Sequence, residues 1–253
     1  MLEFAKKIAV SAGKKHAQKF KRSHFRVNYK SKFEPVTQQD TQAEAYLKKQ
    51  IRKKFPTHGI IGEEGTSFKA KNDYTWYLDP LDGTINFIRG FPYFCVSVAV
   101  LKNNKPYIGV IYNPVTKELF SAQLNKGAYL NGKKIKVSKI SKLSDAYLST
   151  GFRYKRGRGF TAPLKKIKNV LEKSLVIRRT GSAALDLANV ARGTFDGFFM
   201  TDTKKWDVLA GLMIVKEAGG NFYMKQKKEI NDLDVIATNG KIQTQIKKSI
   251  GWK

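Results

Sequence analysis

The chain has 253 residues, 42% of them hydrophobic and 27% charged, a balance that supports a packed core and excludes disorder along the whole length. Its 48 Lys and Arg outnumber 20 Asp and Glu, a formal +28 that attracts polyanions and speeds encounter with phosphorylated or carboxylated solutes. Apolar runs stop at strand length, short of the ~20 residues of a membrane span, and the single Cys95 excludes an internal disulfide and a Cys-based zinc site.

Lys6, Lys7, Lys14 and Lys15 interrupt any apolar core of signal-peptide length, so the expected address is the cytoplasm. The basic residues are dispersed, which reads first as a solvated surface and second as a nucleic-acid footprint. They are denser in residues 14–32 and in residues 153–179, where 156–159 spell an Arg-Gly-Arg-Gly turn.

In chain order, Phe4, Ile8 and Ala12 recur every fourth residue and predict a helix that weakens from Gly13 onward. Thr37 followed by Asp40 has the form of a capping box. Ala43, Leu47, Ile51 and Phe55 make the apolar stripe of the second helix, ending at Pro56. From residue 59 the period shortens. Gly59–Gly62 and residues 76–78 read as short strands running into acidic residues. Residues 94–101, 107–112 and 118–124 follow as consecutive strands, then 128–137 as a tight hairpin about Asn131-Gly132. Strands at 146–150 and 175–177 flank a helix at 164–173. Ser182 caps a helix through Ala191, and 195–201 is a strand. An apolar helix at 208–218 closes at Gly219-Gly220, and a strand at 234–238 precedes a terminal helix. Two tightly packed lobes are expected, residues 1–140 and 141–253.

In a chain this basic, the positions of the few carboxylates are informative. Glu63-Glu64 follow one strand, Asp79 and Asp82 another, and Asp207 precedes the apolar helix, so each stands where a rigid element can aim it. In Asp79-Pro80-Leu81-Asp82-Gly83-Thr84, Pro80 keeps Asp79 extended and the following turn lets both carboxylates face one point with the Leu81 carbonyl. Such hard oxygen donors suit Mg²⁺. Gly83 permits close backbone approach, and its N–H with that of Thr84 can receive phosphate oxygens. The combination is the apparatus of metal-assisted phosphate-ester hydrolysis. Taken singly, each residue has a structural explanation: Asp79 and Asp82 as turn formers, Asp207 as a helix N-cap, Glu63-Glu64 as a solvated pair.

Together, Gly62-Glu63-Glu64, residues 76–86 (WYLDPLDGTIN), Trp206-Asp207-Val208-Leu209-Ala210-Gly211 and Glu217-Ala218-Gly219-Gly220 resemble the inositol monophosphatase family of Mg²⁺-dependent, lithium-sensitive sugar phosphatases, in order and spacing, over nearly the whole chain. The resemblance implies an α/β fold, a layered αβαβα sandwich, and a cytoplasmic homodimer acting on a small phosphorylated substrate with two or three Mg²⁺ ions. It implies metal ligands at Glu63, Asp79, the Leu81 carbonyl, Asp82 and Asp207, with Asp79 bridging two ions. Thr84 and Glu63 would position the attacking water, and the Gly83 and Thr84 backbone would hold the phosphate. Asp40 matches a position close to that threonine, though capping explains it as well. Gly181, Ser182 and Ala183 match the sugar-binding side. His16, His24 and His58 have no motif around them and are expected to play no part.

One position departs from the family. Seven residues before Asp207, where many relatives carry a hydroxyl-binding glutamate, stands Met200, whose thioether cannot accept as a carboxylate does. A continuing strand would place Asp202 on the same side, as a substitute. Lys204 and Lys205 would favour a second phosphate. The expected reaction is therefore hydrolysis of inositol 1-phosphate or a similar polyol phosphate. The alternatives are a bisphosphate (adenosine 3′,5′-bisphosphate or fructose 1,6-bisphosphate) and an RNA- or ribosome-associated role served by the basic surface.

Overall fold

The computed structural model describes residues 1–20, 27–31, 34–152 and 160–252. The Arg-Gly turn at 156–159, His24 and part of the basic stretch 14–32 lie outside them. Helix α1 (Leu2–Phe20) runs straight through Gly13. The glycine that weakens the helical pattern is required by packing, since a β-carbon there would stand 2.5 Å from the Tyr112 ring. Strands β1 (Val27–Ser31) and β2 (Glu34–Thr37) form a small antiparallel ribbon leading into α2 (Gln38–Lys54). Its capping box is the one the Thr37–Asp40 spacing predicts: Thr37 Oγ1 accepts from the Gln39 N–H at 3.2 Å, and the Asp40 carboxylate accepts from the Thr37 N–H at 2.7 Å.

An eight-stranded mixed sheet follows. Its strands are β3 (Gly59–Gly62), β4 (Ser67–Phe68) and β5 (Tyr74–Asp82), then, after the short helix α3 (Thr84–Ile88), β6 (Cys95–Lys102), β7 (Lys105–Asn113), β8 (Glu118–Gln123), β9 (Ala128–Leu130) and β10 (Lys133–Lys134). The spatial order is β10-β9-β8-β7-β6-β5-β3-β4, with only the β3–β5 pair parallel. Asn131 and Gly132 both take positive φ, 48° and 81°, and close the β9–β10 hairpin in the two-residue form its Asn-Gly pair predicts.

A five-stranded sheet occupies the rest of the chain: β11 (Tyr147–Phe152), α4 (Thr161–Leu171), β12 (Val176–Arg178), α5 (Ala183–Ala191), β13 (Gly197–Lys204), α6 (Lys205–Glu217), β14 (Asn221–Gln226), β15 (Asp232–Thr238) and α7 (Gln243–Ile250). Its order is β12-β11-β13-β15-β14. Helix α6 begins three residues earlier than its apolar run suggests, and β14, an edge strand with Lys225 and Gln226 exposed, carries too little pattern to be read from sequence.

Strand alternation sorts the core into layers. Trp76, Leu78, Val96, Val98 and Val100 face α1 and α2, packing against Ile8, Ala12, Leu47 and Ile51. Tyr77, Cys95, Ala99 and Leu101 face the other way, onto α5 and α6. Those two helices also receive Phe198, Val235 and Ala237 from the second sheet, while its far face packs Leu148, Phe199 and Ile236 on α4 and α7. The result is the αβαβα sandwich. Every residue of α6 from Val208 to Val215 is buried, because sheets cover both of its sides.

Candidate active site

Strand β5 carries the first two carboxylates on one face by means of a bulge. Pairing with β6 runs to Asp79↔Ser97 and resumes at Asp82↔Cys95, so β5 holds one extra residue. In a regular strand, residues three apart point to opposite faces; the extra residue restores the phase. Asp79 (2% exposed) and Asp82 therefore both reach the α5/α6 side. The strand itself continues through Asp82 rather than ending at Leu78. Glu63 follows β3, tied to β5 by its N–H on the Leu78 carbonyl at 3.1 Å. Asp207 arrives from α6.

Carboxylate oxygens of Glu63, Asp79 and Asp207 lie within 4.8 Å of one another. Asp207 is not the N-cap of its helix. It sits at the third helical position, and its Oδ2 accepts from the Lys204 N–H (3.1 Å) and Thr203 Oγ1 (3.0 Å). Asp82 Oδ2 stands at the start of α5, accepting from Ser182 Oγ at 2.6 Å and the Ala184 N–H at 2.7 Å. Burial, then the charges of Glu63, Asp82 and Asp207, push Asp79 well above the ordinary carboxylate range. Burial and Asp207 push Asp82 up as well, against the donors from α5. Crowded, buried carboxylates that resist shared ionisation are the donor set a hard divalent cation relieves, so the residues present fit Mg²⁺.

Thr84 Oγ1 lies 3.0 Å from the Leu81 carbonyl and 3.1 Å from Asp40 Oδ1. Both explanations of Asp40 hold together: Oδ2 serves the cap, bonded to Thr37 Oγ1 at 2.5 Å, while Oδ1 faces Thr84. Burial raises the Asp40 pKa despite these bonds. Gly83, at φ 93°, meets two demands, since a β-carbon would also stand 2.9 Å from the Tyr93 carbonyl.

A cleft of about 650 Å³ is lined by Glu63, Asp79, Leu81, Asp82, Gly83, Thr84, Gly181, Ser182, Ala183 and Asp207. Asp40 lies behind Thr84. Asp202 is not in this lining, which corrects the expectation that it replaces a glutamate at 200. A register shift between Met200 and Thr203 puts Asp202 at φ 66°, its Oδ1 3.1 Å from Lys227 Nζ and its N–H on Asp234. Met200 itself lines the cleft, with Arg179 and Lys204. Lys204 is paired with Asp232, and Lys205 faces a separate hollow with Asn104 and Asn231.

Several further residues support the site. Glu44, 3% exposed, accepts from the Glu64 and Thr66 N–H groups (2.8 and 3.0 Å) and holds the turn after Glu63. Asn86 donates to the Tyr93 and Thr180 carbonyls at 2.7 and 2.9 Å, tying the two walls. Asp186 accepts from Thr180 Oγ1 (2.6 Å) and the Tyr93 hydroxyl (3.0 Å), its pKa pushed up to about 8 by burial. The Cys95 sulfur is 3.9 Å from Asp82 and 3.8 Å from Ser182 Oγ, and burial raises its thiol pKa. His58 accepts from Trp76 Nε1 at 2.9 Å within the outer core. His16, expected to play no part, reaches the Pro80 carbonyl at 2.8 Å, and burial lowers its pKa to about 4.

A family model described as the inositol monophosphatase family matches residues 1–250. The chain is 42% identical over 217 residues to the Nus factor SuhB of Xylella fastidiosa, covering 85% of this chain and 78% of that one. It is 38% identical over 241 residues to the fructose-1,6-bisphosphatase/inositol-1-monophosphatase of Aquifex aeolicus, covering 94% and 90%. The solved inositol monophosphatase of an Anabaena (Nostoc) species matches with a TM-score of 0.86 at 35% identity, over 99% of this chain and 94% of that one.

Proposed function

The chain belongs to the inositol monophosphatase family, and from that premise we propose a Mg²⁺-dependent phosphomonoesterase that hydrolyses inositol 1-phosphate or a similar polyol phosphate to the alcohol and inorganic phosphate. The observation that carries this reading is the meeting of Glu63, Asp79 and Asp207 within 4.8 Å, with Asp82 and the Leu81 carbonyl on the same cleft.

In this reading Glu63, Asp79 and the Leu81 carbonyl would hold one cation, and Asp79, Asp82 and Asp207 would hold a second. When bound, the cations would supply Lewis-acid charge to the phosphate oxygens and acidify a water. Thr84 Oγ1 donates to Asp40 Oδ1 and turns its lone pairs toward that water, which Glu63 orients from the other side. The Gly83 and Thr84 N–H groups hold the phosphate while the water oxygen forms its bond to phosphorus. The ester P–O bond breaks, and the proton the attacking water gives up passes through solvent to the leaving oxygen, so that the alcohol and inorganic phosphate are the products. Gly181, Ser182 and Ala183 face the alcohol. The first lobe, 1–140, carries most ligands and the phosphate cradle, and the second, 141–253, carries Asp207 and the alcohol side. The same reading includes two or three ions, lithium inhibition, a homodimer and a cytoplasmic address. Among the described residues no helix is long and apolar enough to cross a membrane.

Met200, in a cleft that Arg179 and Lys204 also line, favours a second reading in which a bisphosphate is the better substrate. The Xylella relative's name and the +28 balance motivate RNA association as a separate property. The test is phosphate release from inositol 1-phosphate, fructose 1,6-bisphosphate and adenosine 3′,5′-bisphosphate with Mg²⁺, with and without lithium, beside Asp82→Asn. Turnover of inositol 1-phosphate, lost in the variant, supports the first reading. Turnover of a bisphosphate alone moves the substrate, and no turnover in a folded protein that binds Mg²⁺ sinks both.

A further inference from the structure

The segment from Asp79 to Asp82 must hold two carboxylates and a carbonyl in place where the sheet supports it least. Pairing with β3 stops at Leu78, pairing with β6 skips from Asp79 to Asp82, and Pro80 has no N–H to donate. Support comes instead from α1. His16 Nε2 stands 2.8 Å from the Pro80 carbonyl, and at the other end of the same peptide unit the Leu81 N–H donates to Asp79 Oδ1 at 3.0 Å. C=O and N–H of one peptide share a rigid plane, so a bond to one fixes the direction of the other.

The carbonyl only accepts, so Nε2 carries the proton and Nδ1 is left as an acceptor. Nδ1 is buried and has no hydrogen-bond partner among the described residues, in a side chain 1% exposed and edge-on to Phe87. A buried nitrogen left unsatisfied is unfavourable, so packing alone does not call for a histidine here. What the histidine adds is the bond to Pro80.

We propose that His16 is a positioning residue: its Nε2–H fixes the Pro80–Leu81 peptide plane, which holds one oxygen of Asp79 and so sets the orientation of that carboxylate toward the cation. The inference rests on the metal-dependent reading above. It extends the site through the sheet to the outer helical layer.

The test compares His16→Met with His16→Gln, which match in length and differ in the donor. His16→Leu is measured alongside, so that a folding defect in one apolar variant does not decide the outcome. Mn²⁺ binding is followed by electron paramagnetic resonance, together with the Mg²⁺ half-saturation of phosphate release and the thermal midpoint in chelator. The expected result is Mn²⁺ affinity roughly tenfold weaker in the apolar variants, recovered to within about threefold in His16→Gln, the scale of a lost second-layer contact to a metal ligand. In chelator the apolar variants exchange an unpaired Nδ1 for an unpaired Pro80 carbonyl, so they should melt within a few degrees of wild type. Wild-type Mn²⁺ affinity in a folded apolar variant, or an equal loss in His16→Gln, would overturn the proposal while leaving the metal-dependent reading intact. A wild-type protein that binds no Mn²⁺ would overturn both.

Discussion

On the wall of the cleft built by β3 and β5, Glu63, Asp79 and Asp82 crowd together, and among the described residues Asp79 accepts from the Leu81 N–H of its own strand. On the wall built by the starts of α5 and α6, polar groups are answered by the protein itself. Ser182 Oγ caps α5 and bonds Asp82, Thr180 and Tyr93 bond Asp186, and Thr203 with the Lys204 N–H bonds Asp207. Asp79, at the centre of the first wall, is electrostatically incomplete without cations, whereas the second wall is set before any ligand arrives. Catalytic precision and apo-state instability should therefore separate by wall.

The sharpest way to break this comparison is Asp79→Asn. Phosphate release should fall on the order of 10³-fold, as for loss of a central electrostatic group, while the metal-free protein melts higher because a repelling carboxylate is gone. A lower melting point in chelator would show that the first wall is not strained. Ser182→Ala probes the second wall. It should lower kcat roughly tenfold through Asp82 and cost about 1 kcal/mol of stability as a lost helix cap, with and without Mg²⁺ alike. Met200→Glu places a carboxylate where the alcohol would lie, and kcat/KM for inositol 1-phosphate should rise about fivefold relative to bisphosphates, the worth of one net hydrogen bond. No change would separate residue 200 from specificity.

The smallest effect is in pH. Asp79, Asp82 and Asp186 all have folded-state pKa values raised by burial, Asp186 to about 8. The folded state then holds protons the unfolded chain has released, so stability falls as pH rises from the unfolded carboxylate range through those values. In chelator the melting temperature should drop by a few degrees, roughly the scale of 1 kcal/mol, between pH 5 and 8. Added Mg²⁺ should restore it at the alkaline end. A flat profile would mean that the first wall ionises freely without cations.

Features set by neighbouring residues were legible in the sequence: the Thr37–Asp40 cap, the Asn131-Gly132 hairpin, and the short acidic strand ends that mark the site. What was not legible depends on partners far away in the chain. Gly13 weakens the helical pattern in sequence because its partner, Tyr112, lies far away on β7. Asp207 looked like an N-cap because the apolar run starts at Val208, whereas the helix starts at Lys205. Asp202 was misplaced because a bulge reverses strand phase and sequence carries no mark of it. His16 did leave a signal. It continues the Phe4, Ile8, Ala12 series by one more step, and Phe20 by another, so the inward face of α1 extends past Gly13.

The two helices sandwiched between the sheets have a consequence for the rest of the surface. α5 contains no Lys or Arg, and α6 has only Lys205 and Lys216, near its ends. The cationic excess is thereby displaced onto the outermost helices, such as Lys6, Lys7, Lys14, Lys15 and Lys19 of α1 and Lys48, Lys49, Arg52, Lys53 and Lys54 of α2. The molecule is thus a charged shell around a nearly neutral spine. Like charges spread over such a shell repel one another, which disfavours non-specific aggregation but strains the fold at low ionic strength. Added salt, by shortening the screening distance to about 8 Å at physiological strength, relaxes that outward pressure without touching the spine.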